Sequence, residues 1–417
     1  MHKPFKLFLI LLLCLCILAV SVSCKRPAQK FDLLSSVISF IEENYYLDFD
    51  EDEADVFAAF GVISSLGKYN YIYPESSIYR DSSDPSGFGL LVKISFYNEI
   101  FIDWILPGSP FLSPSNGITP ERGDEIYAIG GTRVSGAGST YFNSVVSETV
   151  MGEETEFTLR RNGEFFTVSY EKVSYNFPYC FYVNDLPGVP SDFGYICLRT
   201  FDNSTDVGPE FTRAVKSYLE DGNKALILDL RGNGGGSSAV LSRVASYLIG
   251  SGSESVPLVE VNYAKSGKKN VISTTPSRTP ITDPVFVLAD GGTASASEAL
   301  IGAMKAHGTL TALIGKETVG KGVAQNGFTY YSEKDSGYIV DRISDEDGEK
   351  TDGEAYFVQV VVGEYYIFDE SKEGGKYCMN GVPFVPDVSI TGENVISPSF
   401  AEDLYIRAAM DYYQSMN

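Results

Sequence analysis

The sequence predicts a mixed α/β protein with a β-rich unit ahead of it and a helical unit ahead of that. Three observations predict this. Between residues 176 and 395, apolar runs such as "ALILDL" and "VFVLAD" alternate with segments of helical periodicity, the pattern of a largely parallel sheet with crossover helices. Residues 86–175 read as short alternating strands separated by Gly turns. Residues 25–70 carry apolar residues near helical spacing. A chain of 417 residues has room for all three units and a large core.

The N-terminal segment opens with basic "MHKPFK", followed by a 14-residue apolar stretch, Leu7 to Val20, which is short for a spanning helix. "SVSC" follows, and small residues before a cysteine resemble a bacterial lipoprotein signal. The expectation is a signal over residues 1–23, with Cys24 as the lipid-bearing first mature residue. The chain then sits in the cell envelope, anchored to a membrane and facing the periplasm or the cell exterior. An ordinary signal peptide cut nearby also takes it out of the cytoplasm. Cys180, Cys197 and Cys378 remain, enough for at most one internal disulfide.

Residues 24–85 are expected as a helical domain ending in the polar linker "YPESSIYRDSSDPSG". Between its helices, Asp48, Asp50 and Asp52 alternate like the start of a calcium loop. Glu53 stands where that loop needs Gly, and Ala59 where it needs a bidentate Glu, so no metal is expected. In the core, "VGPEFTRAVKSYLEDG" places Phe211, Ala214, Val215, Tyr218 and Leu219 on one helix face, with Gly222 at the C-terminal stop. Cys197 lies in the strand-like "YICLRTF" as a buried apolar residue. The 326–380 stretch is Tyr-rich, acidic and β-like, and residues 396–417 end the chain as an amphipathic helix.

The net charge of −23 argues against nucleic-acid binding, which needs a surplus of Lys and Arg. Only two histidines occur. His2 belongs to the signal, and His307 falls at the end of a predicted helix that Ser295 starts, roughly 15 Å away at 1.5 Å per residue. His307 therefore cannot serve Ser295 as a base, and a His/Cys zinc site has no support.

Ser295 has two readings. Ser295-Ala-Ser-Glu298 fits a helix capping box. A helix N-terminus also offers free N–H groups that stabilise an oxyanion, so a capping serine and a nucleophile are compatible. Lys321 follows in the Gly-rich "GKETVGKGVAQ". As a base it must be neutral, which burial and the absence of nearby anions promote. Gln325 could hold the amine through its side-chain oxygen without adding charge. Serine with lysine is a recognised nucleophile–base pair. In "LILDLRGNGGGSS" the glycines let backbone N–H groups approach a ligand oxygen, but no Gly-Lys-Ser/Thr follows, so it is no Walker loop.

Together these segments resemble the carboxyl-terminal processing (tail-specific) serine proteases. "DLRGNGGG" resembles the family's Asp-Leu-Arg-x-Asn-x-Gly-Gly element, "TASASEAL" its nucleophile turn, "GKETVGKGVAQ" its Gly-Lys-x-x-x-Gln base loop and "GVPFVPDVSI" its closing strand, in order across residues 193–390. The resemblance implies Ser295 as nucleophile, Lys321 as general base, Gln325 as the residue orienting that lysine, and the amides of Ala296 and Gly235 as oxyanion donors. Ser297 is the rival nucleophile. It implies a crotonase-like α/β core with a mixed sheet at 176–395 and no cofactor or metal. Residues 86–175 resemble the PDZ domain of that family, with Gly87, Phe88, Gly89 and Leu90 as the loop receiving a peptide's terminal carboxylate. Protein substrates with unstructured C-termini are the implied partners. The departures are Thr293 for a serine and the missing proline before the paired glycines, which implies a looser turn. Two alternatives stand beside this: a catalytically silent peptide-binding scaffold on the same fold, and an acyl enzyme working on coenzyme A thioesters, against which the export signal argues.

Overall fold

The computed structural model describes residues 32–44, 51–74, 86–203, 205–250, 253–276, 279–333, 337–341, 355–392 and 396–416. The chain divides into a unit ending at Lys68 and a larger one from Tyr69 onward. The expected signal and Cys24 lie outside the described residues. In the first unit, α1 (Asp32–Asn44) and α2 (Glu51–Ser65) match the helical periodicity. No described helix is long and apolar enough to cross a membrane.

The first two residues of the expected linker, Tyr73 and Pro74, belong to a strand, and residues 75–85 lie outside the described residues. Tyr71–Pro74 is a strand, β1, paired antiparallel with β19 (Ala355–Phe368) from Tyr71↔Gln359 to Pro74↔Tyr356. Proline is tolerated there because it ends the strand. A four-residue strand whose partner lies more than 280 residues away leaves no local trace.

Residues 86–174 form β2 (Ser86–Gly87), β3 (Leu90–Ile94), β4 (Ile100–Ile105), β5 (Glu125–Ile129), β6 (Thr132–Arg133), α3 (Ser139–Glu148), β7 (Glu154–Arg161), β8 (Glu164–Glu171) and β9 (Val173–Ser174). The antiparallel sheet runs β3-β4-β5-β7-β8, so β3 is an edge strand. Its core packs Phe88 edge-on to Phe111 and Phe157, beside Phe142 and Val145 of α3.

The core continues through β10 (Cys180–Val183), β11 (Phe193–Leu198), α4 (Val207–Asp221), β12 (Ala225–Asp229), α5 (Ser238–Leu248), β13 (Pro257–Tyr263), β14 (Lys269–Ser273), β15 (Val285–Ala289), α6 (Ala296–Ala306) and β16 (Ala312–Gly315). Then come β17 (Val323–Glu333), β18 (Gly337–Asp341), β19, β20 (Lys376–Cys378), β21 (Val388–Ser389) and α7 (Leu404–Met416). The central sheet has the order β10-β11-β12-β15-β16-β21, parallel except for β10. A second, antiparallel sheet has the order β14-β13-β19-β17-β18, with β1 and β20 also on β19.

The central strands are apolar on both faces, as buried parallel strands are. Ile196, Leu198, Leu226, Leu228, Val285 and Val287 face α4, α5 and α6, beyond which Val259, Val261 and Ile367 of the second sheet close the layer. Phe193, Tyr195, Ile227, Phe286, Leu288 and Ile314 face the other way, onto Ile406, Ala409 and Met410 of α7. Each such fully buried side chain contributes about 1.5–3 kcal/mol of transfer free energy. The α4 stripe is buried as expected except Leu219, which is 39% exposed, and Gly222 takes the left-handed C-terminal position with φ of 70°. Cys180 and Cys197 sit on neighbouring strands but pair with Leu198 and Phe181 respectively. They point to opposite faces of the sheet, and both are free thiols.

A buried ion cluster ties α7 to the rest. Asp403, 1% exposed, accepts from the Tyr405 amide at 3.0 Å and from Nη1 of Arg231 at 3.0 Å. Asp229 holds the other side of that guanidinium, with Nε at 2.9 Å from Oδ2. Arg122, from the β-rich segment, donates to Ser397 O at 2.7 Å and stands 3.8 Å from Asp403. Removing one member of a buried cluster strands its partners. Asp403→Ala is therefore expected to lower stability by about 3–5 kcal/mol, and Asp403→Asn, which keeps the cap, by less. Urea unfolding of the three chains measures the difference, and equal midpoints would refute it.

Candidate active site

Three loops follow the carboxyl ends of adjacent parallel strands: 230–237 after β12, 290–295 after β15 and 316–322 after β16. This edge is where open α/β sheets place their sites. The three sequence motifs converge for that reason alone.

Ser295 has φ 58° and ψ −116°, a conformation that costs a non-glycine residue on the order of 1–3 kcal/mol. The strain sits on a sharp strand-to-helix turn, the arrangement that lifts a nucleophile out of a sheet. Ser295 is partly exposed. Ser297, the rival, is fully buried and donates its hydroxyl proton to Asn233 O at 3.0 Å, so it is structural. The Ala296 amide, at the first helical position, has no acceptor among the described residues.

Glu298 completes its half of the capping box and does more. Its buried side chain accepts four hydrogen bonds. Oε2 takes the amides of Ser295 (2.9 Å) and Lys321 (2.8 Å); Oε1 takes the Gly320 amide (2.6 Å) and the Thr318 hydroxyl (2.5 Å). Two nitrogens bonded to one oxygen lie within about 6 Å of each other, so one carboxylate fixes the serine and lysine backbones side by side. Thr318 Oγ1 in turn accepts from the Phe384 amide at 2.8 Å, and Gly381 N–H donates to Gly320 O at 2.9 Å. The closing "GVPFVP" stretch thus braces the Lys321 loop.

Lys321 is half-buried. Burial pushes its amine below the ordinary lysine value, and nearby Glu298 opposes this more weakly. The amine lies 5.5 Å from the centre of the Tyr69 ring. Gln325 sits where the β17–β19 register shifts, and its Nε2 donates to Tyr69 O at 2.6 Å. Its amide group is thus anchored on Tyr69 rather than on the lysine. Among the described residues no hydrogen bond joins Ser295 Oγ directly to Lys321 Nζ.

The glycine turn packs against the serine. A Cβ on Gly235 would lie 2.7 Å from Ala294 O and from Ser295 Cβ, at φ +95°, so only glycine fits. Its amide already has an acceptor: Gly235 N–H donates to Asn233 Oδ1 at 3.0 Å, closing a tight side-chain turn. Nor is the turn loose without its proline. Asn233 donates through Nδ2 to Leu198 O at 2.8 Å and accepts at its carbonyl from Ala294 N at 3.0 Å, and Phe201 N–H donates to Gly235 O at 2.9 Å. Thr293, in place of the usual serine, keeps a buried hydroxyl bond to Leu230 O at 2.9 Å. His307 caps the far end of α6, as its position in the sequence predicts. No metal-binding cluster occurs among the described residues.

Asn233, Thr318 and Tyr69 are site residues that motif reasoning left without roles. Asn233 stood inside a quoted motif and Thr318 inside another, whereas Tyr69 lies far upstream with no signal at all.

Residues 192–358 match the family model "Peptidase family S41". That stretch is about two fifths of the chain and holds Ser295, Lys321 and Gln325. It is 28% identical to carboxy-terminal processing protease CtpA of Bacillus subtilis over 72% of this chain and 62% of that protein. To CtpB of the same organism it is 25% identical over 70% and 60%. The chain thus spans about three fifths of the length of these curated relatives. A Bacteroides fragilis crystal structure described as an S41 protease superposes with a TM-score of 0.55, covering 90% of this chain and 92% of that one, at 17% identity. That likeness bears on the α/β fold.

Glu298→Gln would turn an NH₂ group toward amide donors. A stranded buried donor costs about 1–3 kcal/mol, so this variant is expected to lose at least that much stability and to unpin both loops. Urea melts should show the loss, with Ser297→Ala costing clearly less; a wild-type melt for Glu298→Gln would refute the shared-carboxylate role.

Proposed function

We propose that this chain is an exported, lipid-anchored serine endopeptidase that hydrolyses peptide bonds with Ser295 and Lys321, on a crotonase-like core carrying a PDZ unit at 86–175. The observation that carries the reading is the pairing of the Ser295 and Lys321 backbones on one Glu298 oxygen, with Ser295 held in a strained, partly exposed turn. The printed names of the relatives, carboxy-terminal processing proteases, support the same class. The lipid on Cys24 and a location in the cell envelope rest on the sequence.

In this reading neutral Lys321 takes the proton from Ser295 Oγ as that oxygen attacks a substrate carbonyl. Substrate binding closes the remaining gap between the two side chains, as often happens between resting and loaded sites. The Ala296 amide and an amide of the 234–236 turn receive the oxyanion, Gly235 doing so only by sharing or releasing Asn233. Gln325, anchored through Nε2, leaves Oε1 as the end that would orient the lysine. The lysine then protonates the leaving amine, and water releases the acyl group. The loop Gly87, Phe88, Gly89 and Leu90 would receive a substrate's C-terminal carboxylate. Gly89, at φ +65°, lies so close to Ser109 that a side chain would clash, and Ser109 Oγ donates to Phe88 O at 2.6 Å, which holds that loop.

Ser295→Ala and Lys321→Ala are each expected to reduce cleavage of an unfolded protein at least about a thousandfold while leaving thermal unfolding within a few degrees of wild type. Product mapping by mass spectrometry reads this, and wild-type cleavage by both variants would overturn the mechanism. Because burial lowers the Lys321 pKa, its neutral fraction grows as pH rises toward a midpoint below the ordinary ~10.4. kcat/KM should climb through that range; a flat profile from about pH 6 to 9 would exclude a lysine base.

A further inference from the structure

A cleft of about 670 Å³ opens between the end of β3 and the turn that precedes Ser295. Lys93, Ile94 and Phe96 line one side; Gly291, Gly292 and Lys316 line the other. We propose that this cleft holds an acidic side chain of the substrate polypeptide, near the fifth residue from its C-terminus. The assignment rests on the peptidase reading above.

Charge is the first argument. The chain carries a net −23, yet three cations face this cleft: Lys93, Arg231 and Lys316. Arg231 is neutralised from within by Asp229 and Asp403. Asp290, the one acidic group among the described lining residues, turns Oδ1 back onto the amides of Gly232 and Gly292, each at 2.9 Å. Among the described residues, neither Lys93 nor Lys316 has a carboxylate partner. Two ammonium groups with no described carboxylate partner therefore line a cleft whose other described walls include apolar Ile94, Phe96 and Phe101. That mixture suits a carboxylate carried on a peptide better than a small free anion.

Direction is the second argument. β3 pairs only with β4, so its outer edge is open among the described strands. A peptide adding antiparallel to β3, its carboxylate at residues 87–90, runs its upstream residues from Leu90 toward Ile94. At ~3.3 Å per residue, the five residues of β3 span ~17 Å, and a strand of equal length brings the fourth to sixth peptide residues beside Lys93. The chain then leaves through the cleft and passes Gly291 and Gly292, just before the nucleophile. An acidic residue at that point meets both lysines.

The test uses the full chain. Fluorescein-labelled peptides with identical apolar last four residues would carry Glu-Glu, Gln-Gln or Lys-Lys at the fifth and sixth positions from the C-terminus. Anisotropy titration with the Ser295→Ala form reads binding without turnover. The Glu-Glu peptide is expected to bind about three- to tenfold tighter than Gln-Gln, as two partly exposed ion pairs provide, with the advantage shrinking in high salt. Lys93→Glu with Lys316→Glu should invert the order of Glu-Glu and Lys-Lys. Equal affinities, no binding, or a preference unmoved by the double reversal would overturn the assignment. With the active chain the preference should fall in KM and leave kcat unchanged. If Glu-Glu is preferred in binding yet no peptide is cleaved, the peptidase reading fails and the cleft assignment stands; cleavage with no charge preference does the reverse.

Discussion

The arrangement of the site depends on the carboxylate of Glu298. An ionised group without solvent is costly unless its lone pairs are taken up, and here four donors from two separate loops take them up. Each donor gains a strong acceptor, and each loop loses freedom to move relative to the other. The same contacts offset the strain at Ser295, because Oε2 holds the residue's amide in that turn. A helix-capping residue has become the clamp between the Ser295 turn and the Lys321 loop.

Around that clamp the fold supplies rigidity by ordinary means. A central sheet apolar on both faces fixes where β12, β15 and β16 end, and the three loops emerge from those ends. Asn233, fully buried, joins the glycine turn to the serine turn through its carbonyl. Glycine at 235 is demanded by contact with Ser295 itself rather than by a ligand alone. On the opposite face, Asp403 both caps α7 and holds Arg231, so the last helix of the chain stabilises the strand end from which the glycine turn departs. Stability and site geometry are therefore coupled through a few buried polar groups rather than through the apolar core as a whole.

The second sheet supports the lysine. β17 begins two residues after Lys321 and pairs with β19, and β1 reaches the far edge of β19 from upstream. Tyr69, just before β1, places its ring near the lysine amine and its carbonyl on Gln325. Lys321 therefore lies in a setting built from segments more than 250 residues apart in the chain. Half-burial there is what lowers its pKa, while the Tyr69 ring and Glu298 both favour its charged form; burial is the larger influence.

By itself the sequence determined the alternation of strands and helices in the core, the β-rich character of 86–175, the exclusion of His307 and the short list holding Ser295 and Lys321. Those are local matters: period, turn chemistry and residue type are written in neighbouring positions. Only the tertiary structure gave Ser295 and Ser297 different surroundings, one partly exposed and the other buried on a carbonyl. It alone turned Gln325 toward Tyr69, committed the Gly235 amide to Asn233, made β1 a strand rather than linker, and produced β13 and β14, which no short-range pattern announced. Each of these rests on a partner distant in sequence, and a hydrogen bond or a strand pairing has no identity until its partner is in place. Burial, which sets the lysine's basicity, likewise belongs to the assembled molecule and to no single residue.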